Sequence, residues 1–380
     1  MLDTTSGANT VDLTGVAAYQ GAYIDGKAGG DTLRDGAFQA VLVGSNGNDQ
    51  LFGNAGSDLL IGGENADVLD GGAGNDVLRG GNNDDQIDGG AGTEDLIDFS
   101  DGPNGISFTL TQSSGNTVFN GPGSLGNDTY RNIEGVIGTA VADSLTGSAS
   151  NDILRGGGGN DTLDGAGGSA DLLDFSDGTA GLVFTLTQSS STTSFNASAA
   201  GLGTDGYKNF EGVIGTAFAD AITGSVSNDQ LRGGGGNDAI NGLAGDDRIG
   251  GGTGADILTG GADNDTFVFD SAPNAVDSVT DFDASGSAAS GDLVELSLGT
   301  FTALSTASGN TLSAAEFASS DGGGAGDTVG AGVHVIYDSA TGNLYYDADG
   351  LSAANRTLVA TLTLTNPADT FDSNDIKVGL

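Results

Sequence analysis

A nine-residue period limits the folds open to this chain more than any other pattern in its sequence. In the stretch GGAGNDVLRGGNNDDQID, residues 71–88, each unit starts with glycine, carries aspartate at its sixth position and has an aliphatic residue at its eighth. Aspartates in this register recur in three arrays: Asp49, Asp58, Asp67, Asp76 and Asp85; Asp143, Asp152 and Asp161; and Asp220, Asp229, Asp238, Asp247, Asp256 and Asp265. Placement this regular predicts a repeat architecture rather than a disordered chain.

A longer repeat contains the short one. The segment DLIDFSDGPNGISFTLTQSS at 95–114 returns at 171–190 as DLLDFSDGTAGLVFTLTQSS, and the segment at 131–161 returns in similar form at 208–238. Alternating apolar residues in these spacers, such as Ile106 and Phe108, predict strands. We expect the spacers to continue the stack as longer rungs, with looser loops at 116–128 and 191–205.

Composition changes along the chain predict three parts. Residues 1–43 are irregular, with a degenerate turn at GKAGGDTL, and predict an N-terminal cap. Residues 44–270 form the repeat region, and residues 271–380 have fewer glycines and predict a C-terminal β-rich cap. The nonapeptide arrays of the repeat region, joined by spacer rungs, occupy 44–93, 138–168 and 215–268. Helix is nearly absent from the pattern, and Ser313–Ala318 is the best short candidate.

The charge balance excludes several classes of function. Asp and Glu number 52 against 10 Lys and Arg, a formal net charge of −42. Such a chain is not expected to bind nucleic acid or anionic membranes, but it suits multivalent cations. The absence of cysteine excludes disulfides and thiolate sites. The N-terminal sequence predicts no cleaved signal peptide, and no window is apolar enough for a membrane span.

The turn chemistry indicates a hard cation. One aliphatic residue in each nonapeptide cannot offset the entropy of ordering the backbone, and stacking brings like charges together. Calcium takes oxygen ligands from carboxylates and backbone carbonyls alike, and glycine-rich turns leave carbonyls free to point inward. Two nonapeptides complete one coil, so we expect several calcium ions, each between two successive turns on the same side of the coil. The expected ligands are the register aspartates and the fourth-position glycines Gly47, Gly56, Gly74, Gly159, Gly236, Gly245 and Gly254.

Several acidic residues admit a plainer interpretation. The register aspartates could form a solvated acidic face or Asx turns, although such turns do not require one register. Asp281, Asp283 and Asp292 could extend the metal sites into the C-terminal part, but more often such residues end strands. For Asp347 and Asp349 a surface turn is favoured.

No catalytic motif is found. His334 is the only histidine and is expected to be packed or at the surface, and neither H-E-x-x-H nor G-x-S-x-G occurs. The acidic pair Asp246 and Asp247 lies in the repeat register, where ligation or solvation explains it. Tyr345 and Tyr346 could stack on a sugar, but a strand pair with one buried ring is favoured.

The nonapeptides GGAGNDVLR, GGGGNDTLD and GGTGADILT resemble the G-G-x-G-x-D-x-U-x repeat of RTX proteins, over about residues 44–269. The resemblance implies an all-β parallel β-roll with calcium in both rows of turns, and export by a type I secretion system. Some turns depart from the pattern. Ser45, Thr139, Ser148 and Thr216 replace the second glycine, and Val141 and Phe218 replace the fourth.

The C-terminal part also resembles this family. Residues 265–297 are similar to the capping segment that follows the last repeat in serralysin-type secreted proteases. That resemblance implies an uncleaved secretion signal in the tail, residues 366–380.

The functional expectation is a secreted calcium-dependent scaffold without enzyme activity, since the repeats begin too early for a catalytic domain upstream. It would fold on calcium binding and self-assemble as surface-layer, biofilm-matrix or filament material. An extracellular adhesin or lectin-like module that binds cell-surface polysaccharide is the alternative. The RTX part of a secreted hydrolase or toxin is the least expected.

Overall fold

The computed structural model describes residues 2–3, 6–15, 21–271, 275–285, 291–320, 332–350, 356–366 and 369–379. Portions of the predicted terminal caps and of the predicted secretion signal lie outside these described residues. The described chain is almost entirely β, with short 3₁₀ helices at Ser198–Ala200 and Ser373–Asp375, so the all-β prediction is confirmed. The helix predicted at Ser313–Ala318 is wrong, because a turn there leads into a strand at Phe317.

The strands are short and are numbered in chain order. The first eighteen are β1 Leu2–Asp3, β2 Thr10–Asp12, β3 Ala22–Asp25, β4 Thr32–Arg34, β5 Ala40–Asn46, β6 Gln50–Phe52, β7 Leu59–Glu64, β8 Val68–Ala73, β9 Val77–Asn82, β10 Gln86–Ala91, β11 Leu96–Asp98, β12 Ser107–Thr109, β13 Thr117–Asn120, β14 Asn127–Arg131, β15 Gly135–Ile137, β16 Ser144–Thr146, β17 Ile153–Arg155 and β18 Thr162–Asp164. The others are β19 Leu172–Asp174, β20 Val183–Thr185, β21 Thr193–Asn196, β22 Thr204–Lys208, β23 Gly212–Ile214, β24 Ala221–Thr223, β25 Gln230–Gly235, β26 Ala239–Ala244, β27 Arg248–Thr253, β28 Ile257–Ala262, β29 Thr266–Phe269, β30 Asp277–Phe282, β31 Leu293–Ser297, β32 Phe317–Ser320, β33 Val335–Asp338, β34 Asn343–Asp347, β35 Arg356–Leu364 and β36 Ile376–Gly379.

The chain divides into two compact units, Met1–Phe175 with Ser189–Phe210, and Ser176–Gln188 with Glu211–Leu380. In the first unit, the odd-numbered strands of the nonapeptide region belong to one sheet and the even-numbered strands belong to others. One sheet has the order β1-β3-β5-β7-β9-β11-β15-β17-β19, the second β13-β14-β10-β8-β6-β4-β2 and the third β12-β16-β18-β22-β21.

Parallel pairing across each sheet follows the two-nonapeptide coil that the sequence predicts. Leu60 lies opposite Leu78 in one sheet, and Leu51 lies opposite Leu69 in the other. Because successive strand side chains point to opposite faces, the eighth residue of each nonapeptide points inward. These four leucines are at most 1% exposed. The predicted parallel β-roll is therefore confirmed.

The sequence pattern predicts that the coil starts at residue 44, but in the structure it begins earlier. Strands β2, β4 and β6 are parallel neighbours, as are β3, β5 and β7. Leu33 and Leu42 take the inward positions and are fully buried. A divergent turn sequence is tolerated here because the inward apolar residue is kept.

The spacers continue the sheets as predicted, through the parallel pairs β11 with β15 and β12 with β16. The looser loops predicted at 116–128 and 191–205 are wrong, because each segment contributes to an antiparallel hairpin, β13 with β14 and β21 with β22. In the first hairpin Phe119 packs against Phe99 and Phe108, with ring centroids 4.7 and 5.1 Å away. This aromatic cluster gives the hairpin a buried anchor.

The second unit holds the third nonapeptide array and the C-terminal strands. One sheet has the order β23-β25-β27-β29-β31-β36, and the other has the order β20-β24-β26-β28-β30-β35-β34-β33-β32. Strand β34 carries both tyrosines of the predicted strand pair. Tyr346 is buried, with its ring 5.0 Å from that of Phe301, while Tyr345 is half-buried, as the sequence favours.

Candidate metal sites in the glycine-rich turns

The register aspartates lie where a glycine-rich turn meets the following strand. All of them are buried, and none is more than 5% exposed. A solvated acidic face would leave such side chains in water, so burial excludes that interpretation. A buried carboxylate needs hydrogen-bond donors or a cation.

One carboxylate oxygen of these aspartates joins successive rungs. The backbone N–H of Asp49 donates to Oδ1 of Asp67 at 2.7 Å, and that of Asp67 donates to Oδ1 of Asp85 at 2.8 Å. In the second unit, Asp220 donates to Asp238 in the same way, also at 2.8 Å. Each bond joins a residue to its equivalent one turn of the coil later.

The other oxygen faces a space without donors in many of these turns. Buried Oδ2 atoms without a hydrogen-bond partner belong to Asp49, Asp58, Asp67, Asp76, Asp85, Asp238, Asp247, Asp256 and Asp265. The geometry at Gly62 shows what surrounds them. A Cβ added there would lie 2.5 Å from Oδ2 of Asp67 and 2.6 Å from the carbonyl oxygen of Gly80. The first glycine therefore leaves room where two acceptors converge.

The fourth-position glycines serve the close stacking of turns. All seven predicted ones have φ between 107° and 146°, a left-handed conformation that disfavours side chains. A Cβ at Gly56 would also lie 2.7 Å from the backbone of Phe38 and Gln39 in the preceding turn. These glycines bring successive turns, and hence their carbonyl oxygens, together.

Four register aspartates differ, because their own turns supply donors. Oδ2 accepts a hydrogen bond from the N–H four residues earlier, at 2.5–2.6 Å, in the pairs Thr139–Asp143, Ser148–Asp152, Thr216–Asp220 and Ser225–Asp229. The Ser and Thr hydroxyls also contact the carboxylates. Without a cation these carboxylates already have partners.

The second residue of the turn decides between the two arrangements. Gly63, Gly72 and Gly81 hold φ between 101° and 116°, and Ser45 also has a left-handed φ of 77°. The four Ser and Thr residues of the donor-supplying turns are not among the described residues with positive φ. Ser or Thr at the second position is the sequence signal for a turn that supplies its own donors. Ser45 shows that this residue type alone does not determine the backbone φ of the turn.

Aspartates outside the three arrays also continue the rungs. Oδ1 accepts a hydrogen bond from an earlier rung in Asp31, Asp95, Asp128, Asp171, Asp205, Asp277 and Asp292. Oδ2 is buried and without a partner in Asp31 and Asp95. A shared pattern could have identified all seven: aspartate stands two residues before an inward apolar residue, as in Asp31–Leu33.

The other acidic candidates are occupied by the protein's own groups. Asp292 accepts from the backbone N–H of Asp265 and of Asp283, and Asp281 accepts from those of Gly260 and Gly261.

The surface turn favoured for Asp347 and Asp349 is only partly correct. Oδ1 of Asp347 accepts from the N–H groups of Asp349 and Gly350, so a turn forms, but Asp347 is fully buried. Its backbone carbonyl lies 2.8 Å from Nδ1 of His334.

Burial makes the charged form of these carboxylates costly. It raises the pKa of Asp67 and of Asp238 to about 7, and neighbouring carboxylates contribute to the increase. The pKa of Asp85 rises to about 8 for the same reasons. The backbone hydrogen bonds to Oδ1 act in the opposite direction. A cation beside Oδ2 would remove this electrostatic cost.

The donor set fits calcium better than zinc. Among the described residues, no three Asp, Glu or His side chains converge as a metal-binding group, so an ion in these turns needs backbone carbonyls among its ligands. Calcium accepts carbonyl and carboxylate oxygens in flexible geometry, whereas zinc prefers nitrogen and sulfur. The register aspartates and the carbonyls of the adjacent glycines therefore suit calcium.

A family model that comprises four copies of the RTX calcium-binding nonapeptide repeat matches several segments of the chain. The matched segments are residues 25–60, 40–69, 61–93, 137–172, 214–249 and 241–271. These segments contain all the register aspartates and also Asp31. The comparison with curated proteins found no match to the chain. The similarity of residues 265–297 to a serralysin cap extends beyond the matched segments and stays a prediction. No helix in the described ranges is long and apolar enough to cross a membrane.

Proposed function

This chain belongs to the RTX proteins with calcium-binding nonapeptide repeats, and from that premise we propose that it is a secreted scaffold that folds when calcium binds outside the cell. The repeats make it a calcium-binding β-roll protein. Secretion, assembly and biological setting form the proposal.

The observation that carries the proposal is the row of buried Oδ2 atoms without partners. Burying a charge without a partner costs on the order of several kcal/mol for each group. Calcium would neutralise the carboxylates, and Asp67 with the carbonyl oxygen of Gly80 exemplifies the atoms that would hold it. Binding and folding are then one process, because the site exists only when successive turns are stacked.

Coupling of binding to folding suits export. Where free calcium is scarce, repulsion among the aspartates would keep the chain unfolded and able to pass through a type I secretion channel. Where calcium is abundant, the ligand would stabilise the folded state by mass action.

Self-association is supported by an apolar row on the outer face of the first unit. Tyr23, Val41, Leu59 and Val77 lie opposite one another on successive strands and point away from the core. Tyr23 is 36% exposed and the other three are half-buried. In a chain of net charge −42, a row without charges is where two copies can approach. We propose surface-layer, biofilm-matrix or filament material on this basis.

The test compares the full chain in EGTA and in millimolar calcium. We expect circular dichroism to show an unordered chain in chelator and β structure in calcium, with magnesium at equal concentration as the control. Sedimentation should then show assembly only in calcium. A cooperative β fold in EGTA that calcium leaves unchanged would disprove calcium-coupled folding. A calcium-loaded monomer retained on immobilised polysaccharide would instead favour the adhesin.

A further inference from the structure

One turn of the coil exchanges the two residue types that define the repeat. Residues 35–40, DGAFQA, stack on residues 53–58, GNAGSD. The N–H of Asp35 donates to the carbonyl of Phe52 at 3.0 Å, which places Asp35 beside Gly53. The N–H of Ala40 donates to Oδ1 of Asp58 at 2.7 Å. Aspartate thus stands where the repeat has its first glycine, and alanine stands where it has aspartate.

The exchange has a steric reason. A Cβ at Gly53 would lie 2.5 Å from Oδ2 of Asp58, so within one turn a side chain at the first position conflicts with aspartate at the sixth. In residues 35–40 the sixth position is Ala40, which has no carboxylate. The first position is then free to carry a side chain. The turn keeps one carboxylate but attaches it at the opposite end.

The carboxylate of Asp35 is buried and lacks a donor at one oxygen. Asp35 is 2% exposed and Asp58 is 3% exposed, and Oδ2 of each has no hydrogen-bond partner. Asp35 stacks on Gly53, the first residue of the turn that ends at Asp58. The adjacent cation, Arg34, has its guanidinium 3.7 Å from the ring centre of Phe52. Two buried carboxylates therefore share a region where their charges oppose each other.

We infer that Asp35 is a calcium ligand and that it holds, together with Asp58, an ion between residues 35–40 and residues 53–58. The nonapeptide motif does not describe this site, because its aspartate is at the first position of the turn. The inference rests on the proposed calcium-coupled folding. It adds a ligand that repeat spacing alone does not identify.

Native mass spectrometry of the full chain in calcium tests the site by counting bound ions. Asp35→Asn, which keeps the shape of the side chain, should bind one ion fewer than the wild type. Asp12→Asn is the matched control, because it removes the same charge from an exposed side chain and should leave the count unchanged. An unchanged count in Asp35→Asn would overturn the inference.

The double variant Asp35→Gly with Ala40→Asp restores the ordinary repeat and should restore the wild-type count. If Asp35→Asn does not fold, Asp35→Gly replaces it, because glycine is the residue that the ordinary repeat has at this position. Asp35→Gly should also bind one ion fewer, and an unchanged count would overturn the inference. A wild-type chain that binds no calcium would refute the proposed function itself. A wild type that binds several ions, with the same number in Asp35→Asn, would refute only this site.

Discussion

The backbone N–H of Asp58 donates a 2.7 Å hydrogen bond to Oδ1 of Asp76, while Oδ2 of Asp76 has no partner. The two oxygens of one carboxylate therefore have different roles. Oδ1 connects successive rungs, and Oδ2 faces the glycine-rich turn where a cation fits. Removing the cation would leave charge beside the same bond that holds the rungs together, so loss of calcium should affect stacking directly.

Two aspartates of the third array should respond differently to the same substitution. Oδ2 of Asp238 has no partner, whereas Oδ2 of Asp229 accepts from the N–H of Ser225 at 2.5 Å. Asp238→Asn should lower the number of bound calcium ions and the calcium-dependent melting temperature. Asp229→Asn should leave the ion count at the wild-type value. Equal losses in both variants would show that the internal donors do not replace the cation.

The first glycine of a turn should be required for calcium binding. In Gly62→Ala the added Cβ would lie 2.5 Å from Oδ2 of Asp67, so the carboxylate or the next rung must move. Overpacking of this kind costs about 1–3 kcal/mol. We expect weaker calcium binding by titration calorimetry and a lower melting temperature in calcium. Gly250→Ala is the control, since its Cβ would meet only Val268, at 3.7 Å. Equal calcium affinity in Gly62→Ala and wild type would contradict the prediction.

Calcium affinity should fall as the pH falls. Burial raises the pKa of Asp67 to about 7 in the folded metal-free chain, above the ordinary value of 3.8. A raised folded-state pKa stabilises the metal-free fold at acid pH, and this stabilisation is lost as the pH rises from about 4 through about 7. Calcium must displace such protons, so affinity should drop about tenfold per pH unit for each proton released.

Titrations at pH 6 and pH 8, with proton release measured in a weakly buffered sample, check this sign. The metal-free chain should also gain β structure on acidification towards pH 4. Affinity that is constant between pH 6 and pH 8 would mean that the ligands are already ionised before calcium binds.

Adjacent leucines in β7 should separate folding from assembly. Leu60 is fully buried, and Leu60→Ala should lower the stability of the calcium-loaded chain by about 2–5 kcal/mol. Leu59 lies on the outer apolar row and is half-buried. Leu59→Ala should leave melting close to the wild type but reduce sedimentation of assembled material. Undiminished assembly in Leu59→Ala would exclude this row as the contact.

Local repetition predicts much of the molecule. The nine-residue register identifies which aspartate ends each turn, and the aliphatic residue two positions later identifies the inward position. The two-nonapeptide coil follows, because two strands with inward leucines complete one turn. The same reasoning missed the hairpin at β13 and β14, where Phe119 is held by aromatic rings that the sequence does not mark as neighbours.

The repeat, its inward leucines and its register aspartates can be recognised in the amino-acid sequence alone, because they depend on the conformation of a single turn. Which carboxylates still lack a partner becomes known only from the folded stack. Asp152 has both oxygens hydrogen-bonded, Oδ1 by Gln112 and Oδ2 by Ser148, while Oδ2 of Asp67 has no partner. The proposed role of Asp35 likewise depends on Asp58, which belongs to the next turn of the same row and accepts a hydrogen bond from the N–H of Ala40. Ser148 belongs to the same turn as Asp152, but the other donors and the like charges come from adjacent rungs, so the state of a carboxylate depends on the stack as well as on its own nonapeptide.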